Sequence, residues 1–292
     1  MEKYSLISVV ICTYNRCESL KDTLDSLLNQ EDDGSFDWEV LVVDNNSKDK
    51  TKEVVESYKA KFNGRLRYLF EPRQGKSYAL NTGIKEAKGE IIAFTDDDCI
   101  VDRKWIMNIL NAFKTEKAES ITGKVIPIWN NRRPKWYSNE IKTVIPDIDE
   151  GDIIKPAALL VGANMAFKKS VFDRVGIFDY ITKSEDTFFS YKIRGKYSMW
   201  YIPTLKVFHK VFPERLTQIY FRKWYFNSGK AISIIRTKYE PEKKKFLNIP
   251  LWMYKEFIFY IFSYIKNFND EKKRFFYELQ IWRFLGFCCQ RW

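Results

Sequence analysis

The chain has 292 residues, of which 45% are hydrophobic and 30% are charged, and its 49 basic residues outnumber 38 acidic ones. This composition is that of a folded globular protein and excludes disordered and collagen-like chains. Residues 1–205 carry 31 basic and 31 acidic side chains, whereas residues 206–292 carry 18 and 7, so the whole positive surplus lies in the later segment. Such asymmetry indicates an anionic partner for that segment, either a membrane surface or a nucleic acid.

Five scattered cysteines form neither a Cys-x-x-Cys pair nor a metal-binding spacing, and the sequence contains one histidine. This pattern excludes a zinc site built from Cys and His, and it fits a reducing compartment. The first residues lead directly into a predicted strand without a signal-like apolar segment, so we expect a cytoplasmic protein.

The predicted elements alternate between short apolar strands and helices. In chain order, the predicted strands are Leu6–Ile11, Glu39–Val43, Leu66–Phe70 and Glu90–Phe94, and helices follow the first three at residues 20–28, 51–61 and 77–87. Near-continuous apolar strands that alternate with helices are typical of parallel sheets covered on both faces. The sequence therefore predicts an α/β fold.

Three of these strands end in polar loops, at residues 13–16, 44–47 and 96–98. Because ligands of such sheets bind beyond the carboxyl ends of the strands, we expect the three loops to form one crevice. The last loop contains three consecutive carboxylates, Asp96, Asp97 and Asp98. Their mutual repulsion favours a bound divalent cation that also contacts substrate phosphates, with a solvated acidic turn as the alternative.

A more specific signal comes from seven short stretches that follow one another over residues 6–210. They are Ser8–Arg16, Val42–Ser47, Gly75–Gly83, Thr95–Asp98, Gly162–Phe167, Gly176–Asp179 and Glu185–Asp186. Together they resemble the inverting nucleotide-sugar glycosyltransferases of family two. The resemblance implies the GT-A fold, a Rossmann-like, mixed and mainly parallel sheet flanked by helices.

The resemblance also implies a domain organisation. We expect a GT-A catalytic domain at residues 1–215, with a nucleotide half at about 1–100 and an acceptor half at about 101–215. A helical, basic and aromatic extension then follows at residues 216–292.

Individual residues receive roles from the same resemblance. Asp186 matches the catalytic base, and Glu185 lies beside it. Asp98 and His209 match ligands of a Mg²⁺ or Mn²⁺ ion. The residues implied in nucleotide binding are Thr13, Tyr14, Arg16, Asp44, Arg73, Lys76 and Asp96, and those implied in binding the donor or acceptor sugar are Asn164 and Asp97.

Elementary chemistry supports these roles. A departing nucleoside diphosphate gains negative charge, which a divalent cation stabilises, and an attacking hydroxyl must lose its proton to a base. Three alternatives stay open: Glu185 and Asp186 as an exposed pair at a helix start, His209 as a structural imidazole, and Asn164 as part of a core strand.

The expected donor is a nucleoside-diphosphate sugar, with UDP first and dTDP or GDP as alternatives, and the expected acceptor is a glycan or lipid-linked hydroxyl.

The aromatic residues that lie among basic ones in the extension are Trp252, Phe257, Tyr264, Phe268, Phe275, Trp282 and Phe287. This pattern is typical of helices that lie in a membrane interface, and the apolar runs are too short to span a bilayer. We expect a peripheral enzyme on the inner face of the plasma membrane, with an anionic membrane surface and no nucleic acid as its partner. Packing within the protein or in a homo-oligomer is the alternative.

Two other functions stay open from the sequence. A sugar-nucleotide pyrophosphorylase shares the nucleotide-binding architecture, although the loop at residues 13–16 lacks the glycines of that family. A catalytically silent glycan- or membrane-binding scaffold could retain the fold, although the carboxylates of the motifs are present.

Overall fold

The computed structural model describes residues 6–32, 34, 36–129, 132–180, 184–241 and 244–291. The first five residues, on which the expectation about the start of the chain depends, lie outside this range. The described parts of 1–126 and 148–210 form one compact unit, here called the α/β unit, and those of 127–147 and 211–292 form a second, the helical unit.

One mixed sheet lies at the centre of the α/β unit. Its strands are β1 (Leu6–Thr13), β2 (Asp37–Asp44), β3 (Leu66–Phe70), β4 (Ile91–Asp96), β5 (Cys99–Val101), β6 (Ser120–Trp129), β7 (Lys155–Pro156), β8 (Met165–Lys168) and β9 (Met199–Val211). The strand order is β3-β2-β1-β4-β8-β6-β9-β5, and β7 pairs with β9. Strands β1 to β4 are parallel, whereas β8 joins β4, and β5 joins β9, in antiparallel pairs.

Helices cover both faces of this sheet. They are α1 (Cys17–Leu28), α2 (Thr51–Tyr58), α3 (Lys76–Glu86), α4 (Trp105–Thr115), α5 (Lys169–Val175) and α6 (Glu185–Ile193). Alternate residues of β1 supply two separate cores, because Val9 packs into one hydrophobic cluster and Val10 into the other. Both valines are fully buried, as a strand covered on both faces requires. The alternation of strands and helices that the sequence predicts is therefore present.

The apolar stretch at residues 159–167 differs from a continuous core strand. Only its end belongs to β8, while the chain turns at Gly162 and Ala163, where the Asn164 amide donates to the Val161 carbonyl at 2.8 Å. The turn leaves the backbone amide of Gly162 unpaired with any strand and directs it to a carboxylate of α6.

The helical unit contains α7 (Gln218–Tyr239), β10 (Lys245–Phe246), β11 (Ile249–Pro250), α8 (Leu251–Lys266) and α9 (Glu271–Cys289). Helices α7 and α9 touch through glycines: a Cβ atom on Gly229 would lie 1.9 Å from the Arg283 carbonyl oxygen, and one on Gly286 would lie 1.9 Å from that of Phe226. Among the described helices, each falls short of the length or the apolar character that crossing a bilayer demands.

Candidate active site

The carboxyl ends of three parallel strands meet at one edge of the sheet. Thr13 at the end of β1 pairs in register with Asp44 of β2, and Cys12 pairs with Asp96 of β4. The strand registers therefore place the loops that follow β1, β2 and β4 side by side, as the sequence predicts.

Reciprocal hydrogen bonds join the first two loops. The backbone amide of Asn15 donates to the Ser47 hydroxyl at 2.9 Å, and the amide of Lys48 donates to the Asn15 side chain at 2.7 Å. Asn15 adopts a positive φ of 53°, which asparagine tolerates better than most residues. This junction leaves Tyr14 half-exposed at the rim, where its ring can contact a ligand.

Asp44 is buried behind this rim. Its carboxylate accepts hydrogen bonds from the Tyr68 hydroxyl and the Ser47 backbone amide, both at 2.8 Å. Burial raises the pKa of Tyr68, and the adjacent Asp44 carboxylate adds to this, so the phenol keeps its proton and stays a donor. Asp44 is thus held in a fixed orientation at the end of β2.

The loop after β3 carries the Arg73 guanidinium at the same edge of the sheet. The Arg73 guanidinium binds the buried Glu71 carboxylate with its Nε at 2.8 Å and lies over the Tyr78 ring at 4.8 Å. Asn45 fixes the loop, because its side chain accepts from the Gly75 amide at 2.8 Å and donates to the Arg73 carbonyl at 2.7 Å.

The three carboxylates after β4 have different surroundings. Asp97 and Asp98 are buried and share the Arg16 guanidinium, which lies 3.4 Å from Asp97 and makes a short contact with Asp98. Burial raises the pKa of Asp97 to about 7, with a further rise from the charge of Asp98 that Arg16 opposes. Asp96 instead faces Lys76, whose Nζ lies 2.7 Å from its Oδ1.

His209 reaches this cluster through strand pairing. It faces Cys99 across the antiparallel β5–β9 pair, and the Lys210 amide donates to the Asp98 carbonyl at 2.9 Å. As a result, His209 Nε2 lies 3.2 Å from Asp98 Oδ1. Ligand atoms of Asp96, Asp98, Cys99 and His209 all lie within 4.8 Å of one another, a spacing that fits a metal ion.

The donor set of this cluster suits a divalent cation. The Nδ1 of His209 lies 2.9 Å from the Lys210 carbonyl, which can only accept, so in the neutral ring the proton belongs on Nδ1. The bare Nε2 then faces a carboxylate oxygen, and a cation between the two acceptors satisfies both. Carboxylate oxygens and an imidazole make up most of this donor set, and such ligands suit a divalent cation.

Lys76 connects the acidic cluster to the start of α6. Its Nζ lies 2.7 Å from Asp96 and 3.2 Å from Glu185 Oε1. Burial lowers the pKa of Lys76, but the charges of Asp96 and Glu185 outweigh burial and raise it well above its ordinary value. The ammonium therefore keeps its charge between two carboxylates.

The carboxylate pair of α6 follows a residue in an uncommon conformation. Ser184 precedes the helix with a φ of 64°, in the left-handed region that serine rarely adopts. In the first turn, Asp186 accepts the Gly162 amide at 2.9 Å and the Thr187 amide at 2.7 Å. Burial and then the charge of Glu185 raise the pKa of Asp186, while the Gly162 hydrogen bond acts in the opposite direction.

Asn164 occupies a different position from the other residues predicted at the site. It is fully buried, and its Nδ2 donates to the carbonyls of Lys124 and Leu205 while its Oδ1 accepts from the Trp105 indole, each at 2.9 Å. These hydrogen bonds use both hydrogens of the Asn164 side-chain amide. They also fix the turn that carries Gly162. Asn164 therefore supports the site from beneath.

Sequence reasoning missed several residues that shape the site. Cys99 belongs to the metal cluster, and Tyr68 donates a hydrogen bond to Asp44. Glu71 binds Arg73, and Asn45 holds the loop at Gly75. Asn45 lies inside a motif that the sequence singled out, next to Asp44. Glu71 and Cys99 lie within two positions of Arg73 and Asp98, which the sequence also singled out. Tyr68 carries no local signal, because the pairing of β2 with β3 brings it to Asp44.

Comparison with known proteins gives the following similarities. Residues 8–176 match a family model described as Glycosyl transferase family 2. The chain is 26% identical over 179 residues to a glucosyl-dolichyl phosphate glucuronosyltransferase of Haloferax volcanii, covering 59% of this chain and 56% of that protein. It is 27% identical over 266 residues to a poly-beta-1,6-N-acetyl-D-glucosamine synthase of Staphylococcus epidermidis, covering 89% of this chain and 63% of that protein. The chain thus spans less than two thirds of the length of these relatives.

Two solved structures have a similar fold. A mannosyltransferase from Pyrobaculum calidifontis, in complex with GDP-Man and Mn²⁺, gives a TM-score of 0.67 at 17% identity over 98% of this chain and 87% of that one. Residues 1–349 of S. aureus TarS, in complex with UDP, give a TM-score of 0.56 at 17% identity over 94% of this chain and 90% of that one. These similarities confirm the predicted GT-A sheet with flanking helices.

Proposed function

Since the chain belongs to glycosyl transferase family 2, we propose that it is a cation-dependent, inverting transferase that moves a sugar from a nucleoside diphosphate to a hydroxyl group. The observation that carries this proposal is the position of Lys76 between two sets of carboxylates. Its ammonium contacts Asp96 beside the candidate metal cluster and Glu185 beside Asp186. A site for the leaving diphosphate and a candidate base are therefore neighbours.

The nucleotide binds, in this proposal, across the ends of β1 and β2. Thr13 and Tyr14 line the base and ribose, and Asp44 accepts a hydrogen bond from the base with an orientation fixed by Tyr68. UDP is the first candidate, and GDP and dTDP are alternatives. Solved structures of similar fold hold UDP or GDP-Man, which supports a nucleoside-diphosphate donor.

Positive charge for the diphosphate comes from side chains of the same edge. Arg73 and Lys76 can approach its oxygens. The Arg16 guanidinium offsets the negative charges of Asp97 and Asp98. Asp98, His209 and Asp96 would hold the cation. A bound Mg²⁺ or Mn²⁺ supplies stabilisation for the negative charge that grows on the leaving diphosphate.

Asp186 is the proposed general base. Its raised pKa strengthens it as a proton acceptor, and the amides of Gly162 and Thr187 hold its two oxygens in place. The acceptor oxygen forms a bond to the sugar carbon as the bond to the diphosphate breaks, and the hydroxyl proton passes to Asp186. Attack from the side opposite to the leaving group inverts the configuration at that carbon.

The acceptor is proposed to be a glycan or lipid-linked hydroxyl at the cytoplasmic face of the plasma membrane. Relatives whose names specify a polysaccharide synthase and a dolichyl phosphate transferase support this class of acceptor. The positive surplus of residues 206–292 supports an anionic membrane as the partner. Family membership disfavours the pyrophosphorylase alternative, and the complete carboxylate set disfavours a silent scaffold.

Thermal unfolding with UDP, GDP or dTDP, each with Mn²⁺ or with EDTA, tests the donor. We expect one nucleotide to raise the midpoint only with the metal, because a ligand that binds the folded state stabilises it by mass action. Turnover of the matching UDP-, GDP- or dTDP-sugars to the free nucleotide then tests catalysis. Equal stabilisation in EDTA, or binding without turnover of any donor, would contradict the proposal.

A further inference from the structure

We propose that the outer face of α8, formed by Leu251, Ile258, Phe259, Phe262 and Ile265, is a lipid-binding surface that enters the interface of an anionic membrane. These side chains are between 44% and 68% exposed. The inference rests on the membrane location proposed above and assigns it to particular residues.

The spacing of these residues places them along one side of the helix. Leu251, Ile258, Phe262 and Ile265 are separated by seven, four and three positions, which keeps them on a single stripe about 20 Å long. Monomeric soluble proteins rarely expose contiguous apolar patches of this kind. The stripe therefore needs an apolar partner.

The other side of α8 already has a partner within the helical unit. Met253 is buried, and the Phe257 ring stacks on Phe284 of α9 with centroids 4.2 Å apart. α8 is thus apolar on both sides, while the described residues of the helical unit cover one of them.

Basic side chains on the same face of α8 indicate an anionic partner. Lys255 and Lys266 are exposed, one turn after Leu251 and Phe262 respectively, and the hairpin before α8 exposes Lys245. The exposed Glu256 is five positions from Leu251 and lies outside the stripe. Long lysine side chains can keep their ammonium groups at the headgroups while apolar neighbours insert. A second copy on the same face would bring together two faces that both carry exposed lysines, so the charge favours an anionic lipid surface over a dimer.

The seven aromatic residues on which the sequence bases a membrane interface lie outside this surface. Phe275 and Phe287 are buried in the helical unit, as the alternative of packing within the protein expects, whereas Phe268, just after α8, is 67% exposed. Exposure in the folded chain therefore assigns the lipid-binding surface to the five residues of α8 named above.

Co-sedimentation of the full chain with vesicles tests the surface. The vesicles are phosphatidylcholine alone or phosphatidylcholine with phosphatidylglycerol. We expect binding to the anionic vesicles, and partition at least about tenfold weaker for the double variant Phe262→Ser and Ile265→Ser, which loses two inserting side chains. The control is Ile219→Ser on α7, which removes an equally exposed apolar side chain outside the stripe and should bind like the unchanged protein.

A second double variant tests the charge. Lys255→Glu together with Lys266→Glu should weaken binding to anionic vesicles, and high salt should weaken binding of the unchanged protein. Unchanged protein that stays in the supernatant with both kinds of vesicle would overturn the inference, as would equal losses in the stripe and control variants.

Two further readouts separate this inference from its alternatives. A dimer formed without lipid, detected by sedimentation velocity and dissociated by the stripe variants, would overturn lipid binding in favour of a subunit contact. Binding of UDP, GDP and dTDP with Mn²⁺, measured without vesicles, tests the catalytic proposal independently. Failure of all three nucleotides to bind, alongside intact vesicle binding, would contradict the proposed function and support the surface.

Discussion

The imidazole Nε2 of His209 lies 3.2 Å from Oδ1 of Asp98, although the two residues are 111 positions apart in the chain. The pairing of β5 with β9 sets Cys99 opposite His209 and so holds this contact. The Nδ1 of the same ring is occupied by the Lys210 carbonyl. The backbone thus orients the imidazole toward the carboxylates, an arrangement that suits a metal ligand better than a packing residue.

We expect Asp98→Asn to weaken UDP binding about 10–100-fold in the presence of Mn²⁺, because the metal cluster loses a charged ligand. Titration calorimetry of UDP with Mn²⁺ and with EDTA measures the effect, which should disappear in EDTA. Asp173→Asn, an exposed carboxylate on α5, is the matched control. Equal losses in both conditions would assign Asp98 to the fold.

Asp186→Asn should lower kcat by about 10²–10⁴-fold and leave the affinity for the nucleotide unchanged, because an amide of the same shape cannot accept the acceptor proton. Steady-state turnover of the donor sugar nucleotide, combined with nucleotide binding, separates the two effects. Activity near that of the unchanged enzyme would transfer the role of base to another group.

The pH dependence of kcat should report the same carboxylate. Burial and the charge of Glu185 raise the pKa of Asp186, and a base works only when ionised. The rate should therefore fall as the pH drops through a value above that of an ordinary carboxyl group. Glu185→Gln removes the like charge and should move this acidic limb to lower pH. An unchanged limb would mean that another group titrates.

Glu71 should contribute to stability in a pH-dependent way. The hydrogen bonds from Arg73, opposed by burial and assisted by Thr82, lower the pKa of Glu71 to about 2. A lowered carboxyl pKa adds stability that is present above the ordinary value of 4.5 and is lost as the pH falls toward 2.

Glu71→Gln should therefore reduce the free energy of unfolding at neutral pH by about 1 kcal/mol, after allowance for the solvent exposure of Arg73. The difference from the unchanged protein should shrink in acid. Urea unfolding at several pH values measures it, with the exposed Glu53→Gln as the control. A difference that does not depend on pH would refute the ionic contribution.

Gly229→Ala should destabilise the helical unit by about 1–3 kcal/mol, because the added methyl group would meet the Arg283 backbone and force α7 and α9 apart. Thermal unfolding measures the loss, and Ser228→Ala, the neighbouring substitution on α7, is the control. A stability equal to that of the control would mean that the helices move apart without penalty.

Much of the α/β unit could be predicted from sequence because its strands carry their own signal. The runs that become β1 and β2 are apolar at nearly every position, since both faces are covered, and each ends in the polar loop that the site uses. Asp44, Asp96 and Asp186 could also be predicted from local sequence, because each lies in a short motif formed by its neighbours along the chain.

Local composition and periodicity encode the alternation of strands and helices, the family motifs and the position of the positive surplus, so all three could be predicted from the amino-acid sequence. The folded chain was needed to show that His209 meets Asp98, that Lys76 bridges Asp96 and Glu185, and that Asn164 is buried beneath the site. It was also needed to show which side of α8 stays exposed. Such contacts depend on the order of the strands in the sheet and on which element packs against each helix face. Both are determined by interactions between residues that are distant in the chain.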